Sequence, residues 1–415
     1  MVALQATRST QSTTRPLTLA MVGIGGYGDI YMRSLLEDVQ SGGVRLIAAV
    51  DPAADRSPRL GQLLERNVPV FSSMNELYAQ ADAAPELVIL ASPISLHAEQ
   101  TIRALENGSN VLCEKPLCST TAQARQMIAA RDRAGRIASI GYQWSFSDAI
   151  QHLKRDIAAG RFGRPKRLRT LVLWPRDRLY YSRNNWVGRQ LDPVTGAPVY
   201  DSPVNNACAH FLHNMLYVLG AQTDRSASPQ TVTAELYRAN DIENYDTAAI
   251  RCITADDVEL LFYVSHATES PAGPLLSYEF ENAVIRCTGD GPIVAQMADG
   301  TRLDYGTPSS SVDLSKLWKT AAAIRDGTPV ECGIEASMAQ TQVMCAAQRS
   351  APSIIQFPQE LSRWVSTATS RRIYVEGLGQ SLRDCFDSGK LPAELGFDWA
   401  RASNDSSVLD CPDAA

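Results

Sequence analysis

The sequence predicts a two-domain protein of mixed class, an α/β domain built on a doubly wound parallel sheet followed by an α+β domain built on an open, largely antiparallel sheet with helices. Three observations predict this. An apolar run at 17–21 passes through Gly23-Ile24-Gly25-Gly26-Tyr27-Gly28 to a second apolar run at 44–50 that ends on Asp51. Helix-like and strand-like stretches then alternate up to about residue 141, whereas period-two stretches dominate after residue 231. A chain of 415 residues is also too long for one ordinary core.

Residues 17–21 (LTLAM) follow Pro16 and run straight into glycine, which reads as a short buried strand. In the stretch 29–39, Ile30, Leu35, Leu36 and Val39 suit one helix face. Between them Gly23 allows a tight turn, Gly25 lets a pyrophosphate approach the backbone, and Gly28 lets the helix pack on the strand, with Gly26 and Tyr27 completing the turn. The helix start offers free N–H groups and the positive end of its dipole to phosphates. Asp51 is placed to accept hydrogen bonds from ribose hydroxyls and to repel a 2′-phosphate, so the expected cofactor is NAD. Arg56 is near enough in sequence to meet a 2′-phosphate if its loop folds back, which keeps NADP as the alternative. An ordinary glycine-rich turn is the bland reading, but strand, helix and acid all stand where a dinucleotide-binding Rossmann unit needs them.

Further along, 69–71 is a weak strand, 74–81 a helix, and 86–91 (ELVILA) a continuous apolar run suited to a buried parallel strand. Ser92-Pro93 ends it where a doubly wound sheet opens its ligand crevice. A helix over 97–107 and a strand over 111–113 lead to Glu114-Lys115-Pro116. A lysine at that strand end, facing a nicotinamide, has its charge disfavoured by desolvation and by the positive ring, which suits it to exchange a proton with a substrate oxygen. A surface lysine paired with Glu114 would be the plainer explanation of the spacing alone.

The glycine motif, Ser92-Pro93 with His97 four residues on, and residues 110–117 (NVLCEKPL) together resemble the Gfo/Idh/MocA oxidoreductases, over about residues 17–350. The resemblance implies an N-terminal NAD(P) domain and a C-terminal sheet that forms the substrate floor and often an oligomer interface. It makes Lys115 the match of the family's catalytic lysine, puts Ser92, Pro93, His97 and Glu114 beside the cofactor, and suggests a cis bond before Pro116. Members carry an arginine shortly after the hinge at Gly141, but residues 141–146 (GYQWSF) have none.

After the helix 120–134 and the last strand of the domain, 136–140, a helix over 148–159 and a strand over 165–174 open the second domain. The loop 174–189 (WPRDRLYYSRNNWVGR) is dense in rings and arginines. Aromatic faces cover the apolar side of a sugar while guanidinium groups hold hydroxyls or a carboxylate, so Tyr181, Arg183 and Trp186 are candidate substrate contacts. A capping or subunit-contact loop is the other reading.

A helix is expected from Asn205 through Gly220, with Asn206, His210, His213 and Tyr217 forming one polar stripe. In the family resemblance the histidine of an Asp-x-x-x-His pair acts with the lysine, and His210 takes that place. The aspartate is Asn206 here, and an amide orients an imidazole without supplying charge, so the base is weaker or His213 or Asp201 compensates. Asn206 and His213 are the remaining candidate substrate contacts. A metal held by His210, His213 and Asp201 is disfavoured, because the cofactor already accounts for redox chemistry.

Period-two stretches at 231–238, 247–253, 258–265, 276–281 and 283–288 predict an antiparallel meander, and helices at 314–325 and 334–349 return toward the first domain. Residues 358–400 carry a further helix with no assigned role. The chain thus divides into a disordered tail at 1–15, a cofactor domain at 16–141, a substrate and oligomerisation domain at 142–350, and an extension at 351–415 whose last residues, from Ser403, are expected to be disordered. A net charge of −6 disfavours nucleic acid and anionic membrane, and no apolar run reaches the ~20 residues of a membrane span. Residues 1–15 lack the apolar segment of a secretory signal. Nine scattered cysteines without a CxxC pair point to free thiols in a reducing, cytoplasmic setting.

The expected activity is hydride transfer between a secondary alcohol of a sugar, cyclitol or glycoside and NAD, with a homo-oligomer formed through the second sheet. Lys115 would bind the developing alkoxide and His210 would accept the proton. A redox-neutral glycosidase or lyase using the same residues and a non-catalytic sugar or NAD sensor are the alternatives.

Overall fold

The computed structural model describes residues 15–37, 43–80, 83–308, 314–351, 353–366, 368 and 370–408. The tail expected at 1–15 lies outside these residues except for Arg15, as do 409–415. Six parallel strands build the first sheet: β1 Leu17–Val22, β2 Val44–Val50, β3 Val70–Phe71, β4 Leu87–Leu90, β5 Asn110–Cys113 and β6 Ala138–Ile140. Their spatial order is β3-β2-β1-β4-β5-β6. Every residue of β1, β4 and β5 is buried, as expected of parallel strands covered by helices on both faces. The order reverses between β1 and β4, so the crevice opens at their carboxyl ends beside Gly23 and Ala91.

Residues 165–304 form most of a second sheet: β7 Pro165–Leu173, β8 Pro229–Arg238, β9 Thr247–Thr254, β10 Glu259–Ser265, β11 Ala272–Phe280, β12 Ala283–Thr288, β13 Val294–Met297 and β14 Arg302–Asp304. A short strand, β15 Ile355–Gln356, joins its edge, giving the order β14-β13-β12-β11-β7-β10-β9-β8-β15. Pairing is antiparallel except for β7 with β10 and β15 with β8. The helices Asp148–Ala158, Ala209–Val218 and Ile334–Ser350 share one apolar core with the inner face of this sheet and with part of the first domain. The helix Ser315–Asp326 returns fully, setting Leu317 and Ala321, with Leu314 just before it, among Leu19, Tyr31 and Leu112. Because both cores cross the domain boundary, the crevice has a fixed back wall.

The extension covers the outer face of the second sheet. After β15 the chain makes a hairpin, β16 Ser362–Ser366 with β17 Arg371–Val375, and the helix Leu378–Ser388. Phe357, Leu378, Leu382, Phe386, Leu391 and Trp399 are buried against Leu171, Leu173, Tyr237, Leu261 and Tyr263. Arg251 grips Glu394 with both terminal nitrogens, at 2.7 and 2.8 Å, and the Tyr263 hydroxyl donates to the Lys390 carbonyl at 3.0 Å. One expectation changes as a result. Residues from Ser403 were expected to be disordered, yet Asp405–Ser407 forms β18, paired antiparallel with β8. Over β7, β8, β9 and β10 the outer face of the second sheet, expected to carry a homo-oligomer contact, is covered by the chain's own extension, and the expectation of a homo-oligomer itself stands as before.

One anchor of the extension titrates. Burial pushes the Glu235 carboxyl up to about 7, although the Tyr237 hydroxyl and the Ala393 amide both donate to it. Since the folded value exceeds the ordinary 4.5, the folded protein holds the proton more tightly, and stability falls as pH rises from about 4.5 through about 7. Glu235→Gln is expected to flatten this slope. The difference between wild-type and variant urea midpoints should move in the variant's favour from pH 5 to pH 8, and an unchanged difference would refute the assignment.

Candidate cofactor and substrate site

A cleft of about 920 Å³ runs along the carboxyl edge of the first sheet and ends against the second domain. Gly23, Gly25, Gly26, Tyr27, Asp51, Ser92, Pro93, His97, Glu114 and Lys115 line it from the first domain, and Arg183, Asn184, Trp186 and Asn206 from the second. The glycine turn has the geometry a dinucleotide requires. At Gly28 a Cβ would lie 2.0 Å from the Gly23 carbonyl oxygen, so helix and turn meet only without a side chain. At Gly25 a Cβ would meet nothing within 4 Å, which leaves the backbone open toward the cleft. Asp51 accepts from the amides of Ile24 at 3.0 Å and Ala53 at 2.9 Å, so one carboxylate holds the turn and marks the ribose end. Arg56 is exposed and does not border the cleft. The residues present therefore fit NAD, with the Asp51 carboxylate at the turn and Arg56 away from the cleft.

Two of the groups expected beside the cofactor line the cleft with side chains already hydrogen-bonded within the protein. The Ser92 hydroxyl donates to Gln100 at 2.5 Å. His97 is 1% exposed and sets Nδ1 2.8 Å from the Pro116 carbonyl and Nε2 3.0 Å from the Ser92 carbonyl. It ties the two strand-end loops together, and burial lowers its pKa. The Lys115–Pro116 bond is cis.

Lys115 is where the two domains meet. Its Nζ donates to the Asn206 carbonyl at 3.0 Å and to Asn206 Oδ1 at 3.2 Å. Burial lowers its pKa to about 8; the Glu114 and Asp201 charges work against that and Lys316 with it. Lys316 escaped the sequence reading. It is 1% exposed, forms an ion pair with Glu114, and reaches the Tyr27 hydroxyl at 3.0 Å, while the Tyr31 hydroxyl donates to Glu114 at 2.6 Å. With its charge matched by Lys316, Glu114 is not left as the sole counter-ion of Lys115, which disposes of the simple pairing of neighbours. No local pattern marks Lys316, because it lies 202 residues from its partner.

The expected helix from Asn205 begins only at Ala209. Asn206 sits in the preceding turn, its amide donating to the Ser202 carbonyl, and this places both of its oxygens at Lys115. Asn206 Nδ2 donates to Asp201 Oδ1 at 2.7 Å, so the side chain serves Lys115 and Asp201 and does not orient an imidazole. His210 is partly buried, edge-on to Tyr142 with 5.8 Å between ring centroids, and its Nδ1 has no hydrogen-bond partner among the described residues. Burial and then the Lys115 charge hold its pKa well below the ordinary value. It is a neutral ring with little appetite for a proton.

Two candidate substrate contacts are corrected. His213 is 1% exposed, stacked on Tyr142 at 3.9 Å between centroids, with Nε2 2.9 Å from Ser145 Oγ. Burial drives its pKa to about 3, so it is a neutral packing group. It fails as a contact because the helix turns that face into the core. Tyr181 does not border the cleft and puts its hydroxyl 3.4 Å from His266 Nδ1. Arg183 and Trp186 do border it, the Arg183 guanidinium lying 3.7 Å from the centre of the Tyr180 ring. Among the cleft-lining residues Arg183 is the guanidinium contributed by the second domain, where residues 141–146 offer none.

Residues 17–142 match the family described as "Oxidoreductase family, NAD-binding Rossmann fold", Gfo/Idh/MocA. Inositol 2-dehydrogenase of Streptomyces avermitilis is 34% identical over 151 residues, which span 36% of this chain and 42% of that protein. The 2,7-anhydro-N-acetylneuraminate hydratase of Mediterraneibacter gnavus is 30% identical over 173 residues, 41% of this chain and 40% of that protein. The matches thus span about two-fifths of the length of these curated relatives. The WlbA dehydrogenase from Bordetella pertussis, solved with NADH and UDP-GlcNAcA, shares the fold at a TM-score of 0.64 and 21% identity, over 81% of this chain and 96% of that one. Residues 17–142 thus match the NAD-binding Rossmann domain of the Gfo/Idh/MocA oxidoreductase family.

Proposed function

We propose that the protein is an NAD-dependent dehydrogenase that oxidises a secondary alcohol of a sugar or cyclitol. The observation that carries this reading is the amine of Lys115, held by two oxygens of Asn206 at the end of a cleft that begins in the glycine turn. A neutral amine has two hydrogens, and both are engaged by Asn206. Its lone pair is then free for a substrate hydroxyl, and after accepting that proton the third N–H donates to the oxygen left behind. NAD supplies the hydride acceptor when bound. Trp186 offers a ring face and Arg183 donors to the remaining hydroxyls. His210, neutral and without an orienting carboxylate, is a hydrogen-bond partner rather than the base.

The test is a screen of NAD and NADP reduction with aldoses, inositols, uronates and glycosides. With the best substrate, kcat/KM for oxidation should rise with pH and level off above about 8, as Lys115 loses its proton. A profile flat from pH 6 to 9, when chemistry is rate-limiting, would remove Lys115 as the base. The hydratase among the relatives supports a second reading, a redox-neutral reaction in the same cleft with no net oxidation of the substrate. Product formation without net NADH would select it.

A further inference from the structure

We propose that Asp201 is a positioning residue for Lys115, acting through the side-chain amide of Asn206; this rests on the dehydrogenase reading for its catalytic consequence but not for its geometry. Asp201 is 2% exposed, and both carboxylate oxygens are engaged: Oδ1 accepts from Asn206 Nδ2 at 2.7 Å and Oδ2 from the Gly188 amide at 2.7 Å. It therefore does not reach the substrate itself. The Asn244 side chain donates to its backbone carbonyl at 3.0 Å, which fixes the segment from a third element.

The consequence lies in which end of the amide faces the lysine. A carboxylate accepts only from the NH₂ end of Asn206, so it turns Oδ1 toward Lys115, where a hydrogen-bonded contact at 3.2 Å results. Without the carboxylate the amide is free to flip and present its NH₂ to an ammonium, a donor against a donor. Asp201 also supplies a negative charge one amide away from Lys115, polarising the intervening group. Burial raises the Asp201 pKa, whereas its hydrogen bonds and the Arg183 and Lys115 charges favour the ionised form. The other groups bearing on Lys115 are Glu114 and Lys316 from the first-domain side, Cys208, and His210, whose proton affinity Lys115 in turn depresses.

The experiment reads the proton affinity of Lys115 without turnover. Full-length protein is pulsed with acetic anhydride across pH 6–11, and acetylation at Lys115 is followed by peptide mass spectrometry. Asp201→Asn is expected to shift the reactivity midpoint down by about one unit. The double variant D201N/N206D, which moves the carboxylate directly against the lysine, is expected to return it to the wild-type value or above. With the best substrate, Asp201→Asn should lower kcat about tenfold with little change in KM, and should move the rising limb of the pH profile to lower pH. An Asp201→Asn midpoint equal to wild type overturns the proposal. If that variant does not fold, the double variant decides: a midpoint below wild type overturns the proposal, and one at or above it supports the proposal. A wild-type protein inactive on every sugar tested would remove the dehydrogenase reading and leave the acetylation result standing.

Discussion

Replacing Lys115 by methionine is expected to lower NAD-dependent oxidation by about a thousandfold while leaving NAD affinity nearly unchanged. General acid–base groups of this kind contribute roughly 10²–10⁴-fold, and His210, the other expected proton carrier, does not border the cleft and has its pKa held well below the ordinary value. Methionine keeps the length and apolar stem of lysine. The wall beneath it should persist, since Glu114 stays paired with Lys316 and bonded to Tyr31. The glycine turn and Asp51, at the other end of the cleft, are untouched. Fluorescence titration with NADH measures the second half of the expectation. A variant that retains activity within tenfold of wild type would show that Lys115 does not handle the proton, and one that loses both activity and NADH binding would mark a structural lysine.

The cofactor end of this cleft was legible in the chain because its requirements are local. A strand, a glycine-rich turn and a helix start succeed one another within 30 residues, and the packing at Gly28 explains why that glycine is needed. The substrate end was legible only in part. Lys115 and Asn206 were identified by their place in a pattern, but their direct contact spans 91 residues and no periodicity encodes it. The helix start was misjudged because apolar spacing continues upstream of Ala209, while the turn over 202–208 is built by hydrogen bonds to the Ser202 and Pro203 carbonyls. His213 read as polar stripe and proved to be core, since a neutral imidazole between Tyr142 and Tyr217 packs as an aromatic ring. The hairpin of β16 and β17 went unseen for the opposite reason: β16 is largely exposed and shows no alternation of buried and exposed residues.

Trp399→Ala is expected to destabilise the protein by about 3–5 kcal/mol, the usual range for truncating a buried tryptophan. The ring is 8% exposed and lies 5.0 Å from Tyr237, 5.3 Å from Phe357 and 5.4 Å from Phe397, measured between centroids. These contacts join the end of the extension to β8 and to the segment after β15, so their loss loosens the cover at its edge. The face beneath carries Leu171, Leu173, Tyr237, Leu261 and Tyr263, an apolar surface that polar solvent does not tolerate in a monomer without a partner. The variant should therefore show a lower urea midpoint and, near that midpoint, self-association detectable by light scattering. The Lys115–Asn206 contact is on the opposite side of the second sheet's core, so turnover per folded molecule should be preserved at low temperature. A variant as stable as wild type would mean that the extension only rests on the sheet. One that lost turnover while still folded would mean that the outer face is coupled to the cleft through the strands between them.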